Sequence, residues 1–256
     1  GLNSLKLKAN LVLCSHEHDD HNARNCVEVA PKDFKVTCIE TYHDHHQGSH
    51  RGKNTIHIVD FEDLKVVHMG DIGCMMDDVS KLKNCDVLMI PIGGYYTIDT
   101  KEALKYIAEK GNIFVIVQFA VNQFGYSNSG LSAKKLISDA LDCEYTDAAG
   151  LNCGVGPGHM YGIFEKLGIN TAKYLTALPN AGYPQSVSNR MVFAADNSEY
   201  FSIKASDMAE RGINIVGGCC GTTPEYIAKL ENAVKNMHPV KHFSEEHEKK
   251  IMFKPI

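Results

Sequence analysis

The sequence predicts an α/β protein made of two unlike halves. Three observations carry that prediction. From residue 111 onward, short β-branched and apolar runs alternate four times with amphipathic stretches, the pattern of βα units feeding a parallel sheet. Before that point the chain offers five strand-like runs and a single helix signal. Residue usage also changes: nine of the 13 histidines fall between His16 and His68, whereas the Gly and Pro motifs that shape loops fall mostly after Gly111. The boundary is read at "EKGN", residues 109–112. It divides the chain into residues 1–110, residues 111–236, and a mixed-charge tail, residues 237–256, expected to be a linker.

In chain order, strands are expected at "NLVLC", "KVTCI", "TIHIV", "LKVVH" and "DVLMI", each a short β-branched or apolar run. A helix follows at "DTKEALKYIAEKG". Asp99 is its expected N-cap, Glu102 completes a capping box, and Gly111 suits the residue after the end. The second half predicts strands at "IFVIVQF", "DAAGLN", "KYLTAL" and "INIVGG". Its helices are expected at "SAKKLISDAL", "GHMYGIFEKLG", "EYFSIKASDMAERG" and "PEYIAKLENAVKN", the last with Thr223 as N-cap and Pro224 at the first position.

Composition narrows the function classes. With 256 residues, 44% hydrophobic and 22% charged, the chain can bury a core. A net charge of −5 with both signs dispersed argues against nucleic acid and against a basic membrane-binding face. No apolar run approaches the roughly 18 residues of a membrane helix, and "GLNSLKLKAN" lacks a signal-peptide core. A soluble, cytoplasmic protein is expected. Nine cysteines, an odd number without disulfide-scaffold spacing, fit a reducing compartment in which thiols serve as metal ligands or core filler. The absence of an initiating Met and of an opening structural unit leads to the expectation of a fragment.

Two clusters carry chemistry. Cys153 follows the strand "DAAGLN", and Cys219 and Cys220 follow "INIVGG". In a series of parallel βα units, reactive groups collect where strands end. A disulfide between adjacent cysteines is strained, whereas three thiolates from two strand ends make a zinc site with one open position, the arrangement of a catalytic zinc. Buried thiols acting as small hydrophobes are the alternative, strongest for Cys153 taken alone. Near the start, "SHEHDDHN" fits H-x-H-x-D-H, a turn whose side chains can reach two metal ions that clamp a bridging hydroxide; a solvated polar loop is the alternative.

"GLNCGVGPGHM", "ALPNAGYP" and "IVGGCCGTTPEYIAKL", in that order and spacing, resemble the homocysteine S-methyltransferases, especially the type fused to a methylenetetrahydrofolate reductase. The resemblance covers residues 112–234. It implies the last four βα units of a TIM-type (β/α)8 barrel, with zinc held by Cys153, Cys219 and Cys220. It further implies homocysteine and a methyl donor as partners, the homocysteine thiolate attacking an activated methyl group to give methionine. Asn152 and the loop residues Pro179, Asn180, Ala181 and Gly182 are then the expected substrate-binding residues, the loop otherwise being an ordinary turn. The first four βα units have no counterpart, so two strand edges are expected to be exposed and to favour self-association.

"SHEHDDHN", "TYHDHHQGSHRGKNT", "VVHMGDIG" and "DVLMIPIGGYYTIDTKEA" resemble the metallo-β-lactamase-fold metal-dependent hydrolases over residues 5–108. This resemblance implies one metal on His16, His18 and His43, and a second on Asp20 and His21, with Asp71 bridging. Asp20 and Asp71 are the expected catalytic carboxylates, and zinc the expected metal. His45, His46, His50 and His57 receive no role and are expected at the surface, and His68 is expected behind the ligands. The family's opening strands and one further metal-binding His have no counterpart, so the second metal position is expected to lack a ligand.

Two catalytic families, each incomplete, meet at Lys110 without a linker, whereas natural fusions join whole domains through flexible segments. A splice or gene-assembly chimera is the expectation. Three functions follow: a zinc-dependent homocysteine S-methyltransferase, a metal-dependent hydrolase, and a metal-binding remnant without turnover.

Overall fold

The computed structural model describes residues 7–18, 21–22, 24–61, 63–103, 106, 114–168, 170–187, 190–193 and 197–238. The chain forms a mixed α/β structure of two compact units, Gly1–Ile113 and Phe114–Ile256. The boundary expected at residues 110 and 111, and nearly all of the expected tail, lie outside the described residues. No described helix is long and apolar enough to cross a membrane.

In the first unit a short parallel pair, β1 (Leu7–Ala9) and β2 (Val27–Val29), accompanies a four-stranded sheet. That sheet runs in the order β3 (Lys35–Tyr42), β4 (Lys53–Phe61), β5 (Leu64–His68), β6 (Val87–Met89). The first two pairings are antiparallel and the last is parallel. Period-two alternation assigns the faces: Ile56, Ile58 and Val67 point into a core with Met69, Ile72, Leu82 and Ile98, while His57, Val59, Val66 and His68 face the other side. There they line a cleft of about 540 Å³ together with Val12, Leu13, Cys14 and Met89.

The strand expected at "NLVLC" does not form; residues 11–14 carry no strand pairing, and Val12, Leu13 and Cys14 wall this cleft instead. The capping box is present. The Asp99 N–H donates to Glu102 Oε2 at 2.9 Å and the Glu102 N–H to Asp99 Oδ1 at 2.9 Å. The helix end expected at Gly111 lies outside the described residues.

The second unit is a four-stranded parallel sheet in the order β7 (Ile116–Phe119), β8 (Ala148–Asn152), β9 (Tyr174–Leu178), β12 (Ile215–Val216). Neighbours follow chain order, as they do in a singly wound barrel and do not in a doubly wound sheet. An antiparallel hairpin that the sequence reading missed, β10 (Pro184–Val187) and β11 (Arg190–Phe193), sits between β9 and β12 in the chain.

Four helices connect or follow these strands: α1 (Ala133–Asp142), α2 (Pro157–Leu167), α3 (Ser198–Glu210) and α4 (Pro224–Val234). Each buries one stripe. In α1 the stripe is Ala133, Ile137, Ala140 and Leu141, spaced as one helical face. The stripes pack with Ala149, Leu151, Leu175, Ala177 and the fully buried Phe201 in one core. Ser132 caps α1, its Oγ accepting from the Lys135 N–H at 3.3 Å. Thr223 and Pro224 occupy the expected positions at the start of α4, but the Thr223 side chain makes no capping hydrogen bond. Among the described residues, β7 and β12 each have one unpaired edge.

Candidate metal centres

The cysteine cluster is built by two strand ends held together by backbone hydrogen bonds. After β8 the chain turns sharply. Cys153 takes the left-handed conformation at φ +64°, unusual for a side chain with a Cβ, and its N–H donates to Leu178 O at 2.9 Å. Gly154 follows at φ +75°, where a Cβ would collide with the Val121 backbone, so glycine is required. After β12, Cys219 N donates to Pro179 O and Ala181 N to Cys220 O, both at 2.9 Å. The Thr222 hydroxyl donates to Cys219 O at 2.6 Å and closes the turn.

The result is three sulfurs within 4.8 Å of one another. Cys153 Sγ lies 3.6 Å from Cys220 Sγ, which lies 3.9 Å from Cys219 Sγ. Tetrahedral zinc with bonds of about 2.3 Å requires sulfur separations of about 3.8 Å, so the observed spacing fits that ion. A bound cation is further favoured by Asn180, which is 5% exposed and whose Oδ1 is buried without a hydrogen-bond partner. The thiols do not titrate alike. Hydrogen bonds from Cys219, from the Gly154 backbone, from Cys220 and from Asn180 hold Cys153 down at about 5, against burial that raises it. Cys219 is pushed up by its hydrogen bond to Cys153 and by burial, and Cys220 is pushed up chiefly by burial. Cys153 is thus the thiol most readily deprotonated, and a cation held among the sulfurs would draw all three toward the thiolate form.

In the first unit, His16, His18 and His43 bring nitrogens within 4.8 Å of one another, and His16, His21 and Asp71 form a second such group. Asp71 Oδ2 lies 3.3 Å from His43 Nε2, 3.9 Å from His16 Nε2 and 4.0 Å from His21 Nε2. His43 Nδ1 meets Tyr96 O at 3.1 Å; a carbonyl only accepts, so Nδ1 carries the proton and Nε2 presents a lone pair. His16 Nδ1 meets Ser15 Oγ at 2.9 Å, and its Nε2 is buried without a hydrogen-bond partner. Burial, followed by His21, lowers the His16 pKa; Asp71 opposes this, and His43 and His18 lower it further. The two groups each bring their donor atoms close enough to share one divalent cation.

Two residues without a role in the sequence reading hold this group in place. The Asp44 carboxylate accepts four backbone N–H groups: His46 at 2.7 Å, Gly48 at 3.0 Å, His50 at 3.1 Å and Arg51 at 2.7 Å. Burial raises its pKa, but the N–H groups of Arg51, His46, His50 and Gly48 hold it at about 2. This folds the loop after His43 around one carboxylate. Asn54, fully buried, donates to Thr41 Oγ1 at 2.8 Å and Met69 O at 2.9 Å, and its Oδ1 accepts the Asp71 N–H at 2.9 Å. No sequence signal marks either one, because their partners, backbone atoms and the Thr41 hydroxyl, are brought close only by the fold.

The structure brings together Cys153, Cys219 and Cys220 with Asn180, and His16, His18, His21, His43 and Asp71. Pro179, Ala181 and Gly182 form the loop beside Cys219 and Cys220. Asn152 ends β8, next to Cys153. Asp20 lies outside the described residues. His45, His46 and His50 are exposed, but His57 is not: it is 7% exposed, with Nε2 donating to Cys14 O at 3.0 Å and Nδ1 3.4 Å from Cys38 Sγ. Its place on β4 turns it to the sheet face opposite the core. His68 Nδ1 accepts the Gly70 N–H at 3.0 Å, immediately before Asp71.

The profile of the homocysteine S-methyltransferase family matches residues 22–234. Methionine synthases of Mycobacterium leprae (strain TN) and Mycobacterium tuberculosis (strain ATCC 25618 / H37Rv) are each 35% identical to this chain, over 88 and 91 residues, or 34% and 36% of it. Those segments are 7% and 8% of the two proteins, so the chain spans less than a tenth of the length of the curated relatives it matches. Among solved structures, the oxidised form of the homocysteine methyltransferase MmuM from Escherichia coli aligns with a TM-score of 0.41 at 16% identity, covering 58% of this chain and 46% of that one. A protein from Thermotoga maritima, assigned to the zinc-dependent hydrolases of the metallo-β-lactamase superfamily, aligns with a TM-score of 0.39 at 26% identity, covering 57% and 74%.

Proposed function

The chain belongs to the homocysteine S-methyltransferase family, and we propose on that basis that Cys153, Cys219 and Cys220 hold a zinc ion at which homocysteine is methylated to methionine. The observation that carries this reading is the pair of sulfur separations, 3.6 and 3.9 Å, delivered by two neighbouring strand ends. Zinc bound there supplies the Lewis acidity that keeps an incoming thiol deprotonated at neutral pH. The chain's own residues do the rest. The strained turn at Cys153 and the Thr222 clamp on Cys219 fix three thiolates on one side and leave the other open. Asn180 and the loop formed by Pro179, Ala181 and Gly182 wall the substrate, and Asn152 faces it from the end of β8. The homocysteine sulfur then attacks the methyl carbon of an activated donor; the new carbon–sulfur bond forms as the donor keeps the electron pair of the broken bond. The unpaired edges of β7 and β12 are surfaces for association with another chain.

The test is zinc content. Cys153→Ser, Cys219→Ser and Cys220→Ser each preserve volume while replacing a strong ligand with a poor one, and each should remove one zinc per chain, whereas Cys38→Ser should remove none. Retention of that zinc in Cys219→Ser overturns the proposal.

The bare, buried Nε2 of His16 supports a second activity in the first unit, hydrolysis at one or two divalent metals held by His16, His18, His21, His43 and Asp71. Thiol alkylation should leave this metal in place and release that of the cysteines.

A further inference from the structure

A thiol and an imidazole that neither metal centre uses face each other on the first unit's sheet. Register puts them there: β3 and β4 pair antiparallel with Cys38 directly opposite His57. Ile39, Ile56 and Ile58 fill the core side, so alternation sends Cys38 and His57 to the other face. Cys38 Sγ lies 3.4 Å from His57 Nδ1, and the far nitrogen of the ring, Nε2, lies 3.0 Å from Cys14 O. A backbone carbonyl only accepts, so Nε2 carries a proton. In the neutral ring Nδ1 then presents its lone pair, and the Cys38 thiol donates to it. Burial holds the ring in that orientation, for only 7% of His57 is exposed. The site thus has a nucleophile, a base within its reach and a third group that orients the base. Access separates this thiol from its neighbours. Of the five cysteines in the first unit, Cys38 alone is exposed. Cys26 Sγ donates to an amide oxygen, Asn25 Oδ1, at 3.6 Å, and burial pushes the Cys74 thiol up. β3 is also the outer strand of its sheet, with no strand on its other side among the described residues. A sulfur placed there is open to the straight-line approach that displacement at a disulfide sulfur requires.

We propose that Cys38 is a modification site, where His57 accepts the thiol proton and the resulting thiolate exchanges with a low-molecular-weight disulfide to leave a mixed disulfide on β3. The proton passes from Cys38 Sγ to His57 Nδ1. The imidazolium then holds the thiolate through that N–H, while Cys14 O accepts from the other. The thiolate attacks one sulfur of the disulfide; a new S–S bond forms as the old one breaks, and the departing thiolate leaves with that electron pair and takes a proton from solvent. His57 returns its own proton to solvent. One protein thiol and one disulfide become one mixed disulfide and one free thiol, so the incoming disulfide is the only oxidant the step needs. The inference stands apart from both metal readings.

The full chain treated with oxidised glutathione provides the test, with acid quenching and peptide mass mapping to follow the mixed disulfide at each cysteine. Every rate is divided by that of a free thiol in the same medium. An isolated thiol is only a few per cent thiolate at about neutral pH, and a paired thiolate is a somewhat weaker nucleophile, so proton transfer to His57 is worth about tenfold in rate. Cys38 should therefore react about tenfold faster in the folded chain than in the same chain in denaturant, whereas Cys26 and Cys143 should react no faster folded than unfolded. His57→Ala should bring the folded rate at Cys38 down to the unfolded one. Added imidazole, admitted through the cleft that His57 lines, should restore it at Cys38 and at no other cysteine. A folded rate at Cys38 no higher than the unfolded rate overturns the proposal without recourse to any variant. An undiminished rate in His57→Ala overturns it as well, and so does a loss that imidazole fails to restore, since packing alone then accounts for the effect.

Discussion

Gly150→Ala tests the packing that delivers the cysteine cluster. Gly150 lies in the middle of β8, and a Cβ there would sit 2.5 Å from Thr176 Oγ1 and 2.7 Å from the Thr176 carbonyl carbon, with the carbonyl oxygen nearer still. Because these are backbone and fully buried atoms of the neighbouring strand, relief requires β8 and β9 to part by about 1 Å. Overpacking of this kind costs about 3 kcal/mol. Alanine in a strand otherwise gains about 1 kcal/mol over glycine through reduced chain entropy, so the net loss is about 2 kcal/mol. That is a large fraction of a typical domain's stability. Thermal unfolding should fall by about 6 °C. Amide exchange over residues 148–152 and 174–178 should accelerate more than exchange in the first unit. Because Cys153 continues β8, zinc affinity should fall too. A variant as stable as the parent, with unchanged exchange in those two segments, would refute the close β8–β9 contact and the placement of Cys153 that depends on it.

Two further outcomes concern the first unit. Asp44 is held at about 2, below its ordinary value near 3.9, so its ordering of the loop is fully present above about pH 4 and is lost as pH falls toward 2. The backbone amide resonances of His46, Gly48, His50 and Arg51 should titrate together in that window, and Asp44→Asn should abolish the titration and weaken metal binding at His43. His16 is shifted in the same direction, here by burial, so the unfolded chain binds more protons than the folded one below about pH 6.5. The metal-free first unit should lose stability as pH falls through that value. Denaturant midpoints for His16→Gln should show a shallower decline; equal slopes would contradict the burial of a neutral imidazole.

The βα alternation was legible because each helix carries its own period. Ala133, Ile137, Ala140 and Leu141 repeat on one face of α1 whatever surrounds them, and the expected "SAKKLISDAL" lies within one residue of the observed helix. The cysteines were legible for a related reason: in a parallel series, strand ends share one side, so two motifs far apart in sequence meet at Cys153 and Cys219. What failed to show was decided by partners. "NLVLC" is apolar enough for a strand but pairs with nothing and becomes a cleft wall. β10 and β11 are four residues each, and Pro184 at the head of β10 argues against a strand by propensity. His57 reads as one more histidine in a rich run, yet Cys14 and Cys38, remote in sequence, bury its ring. Asp44 acts wholly, and Asn54 largely, through backbone N–H and C=O groups, which leave no side-chain signature.

X-ray absorption at the zinc edge tests the three-sulfur site most directly. In a His16→Ala, His18→Ala background, which empties the histidine site, one equivalent of zinc should show three sulfur neighbours at about 2.3 Å. Added homocysteine should raise the count to four without lengthening those bonds by more than about 0.1 Å. A first shell of nitrogen and oxygen alone, or a sulfur count that ignores homocysteine, would contradict zinc–thiolate methyl transfer at Cys153, Cys219 and Cys220.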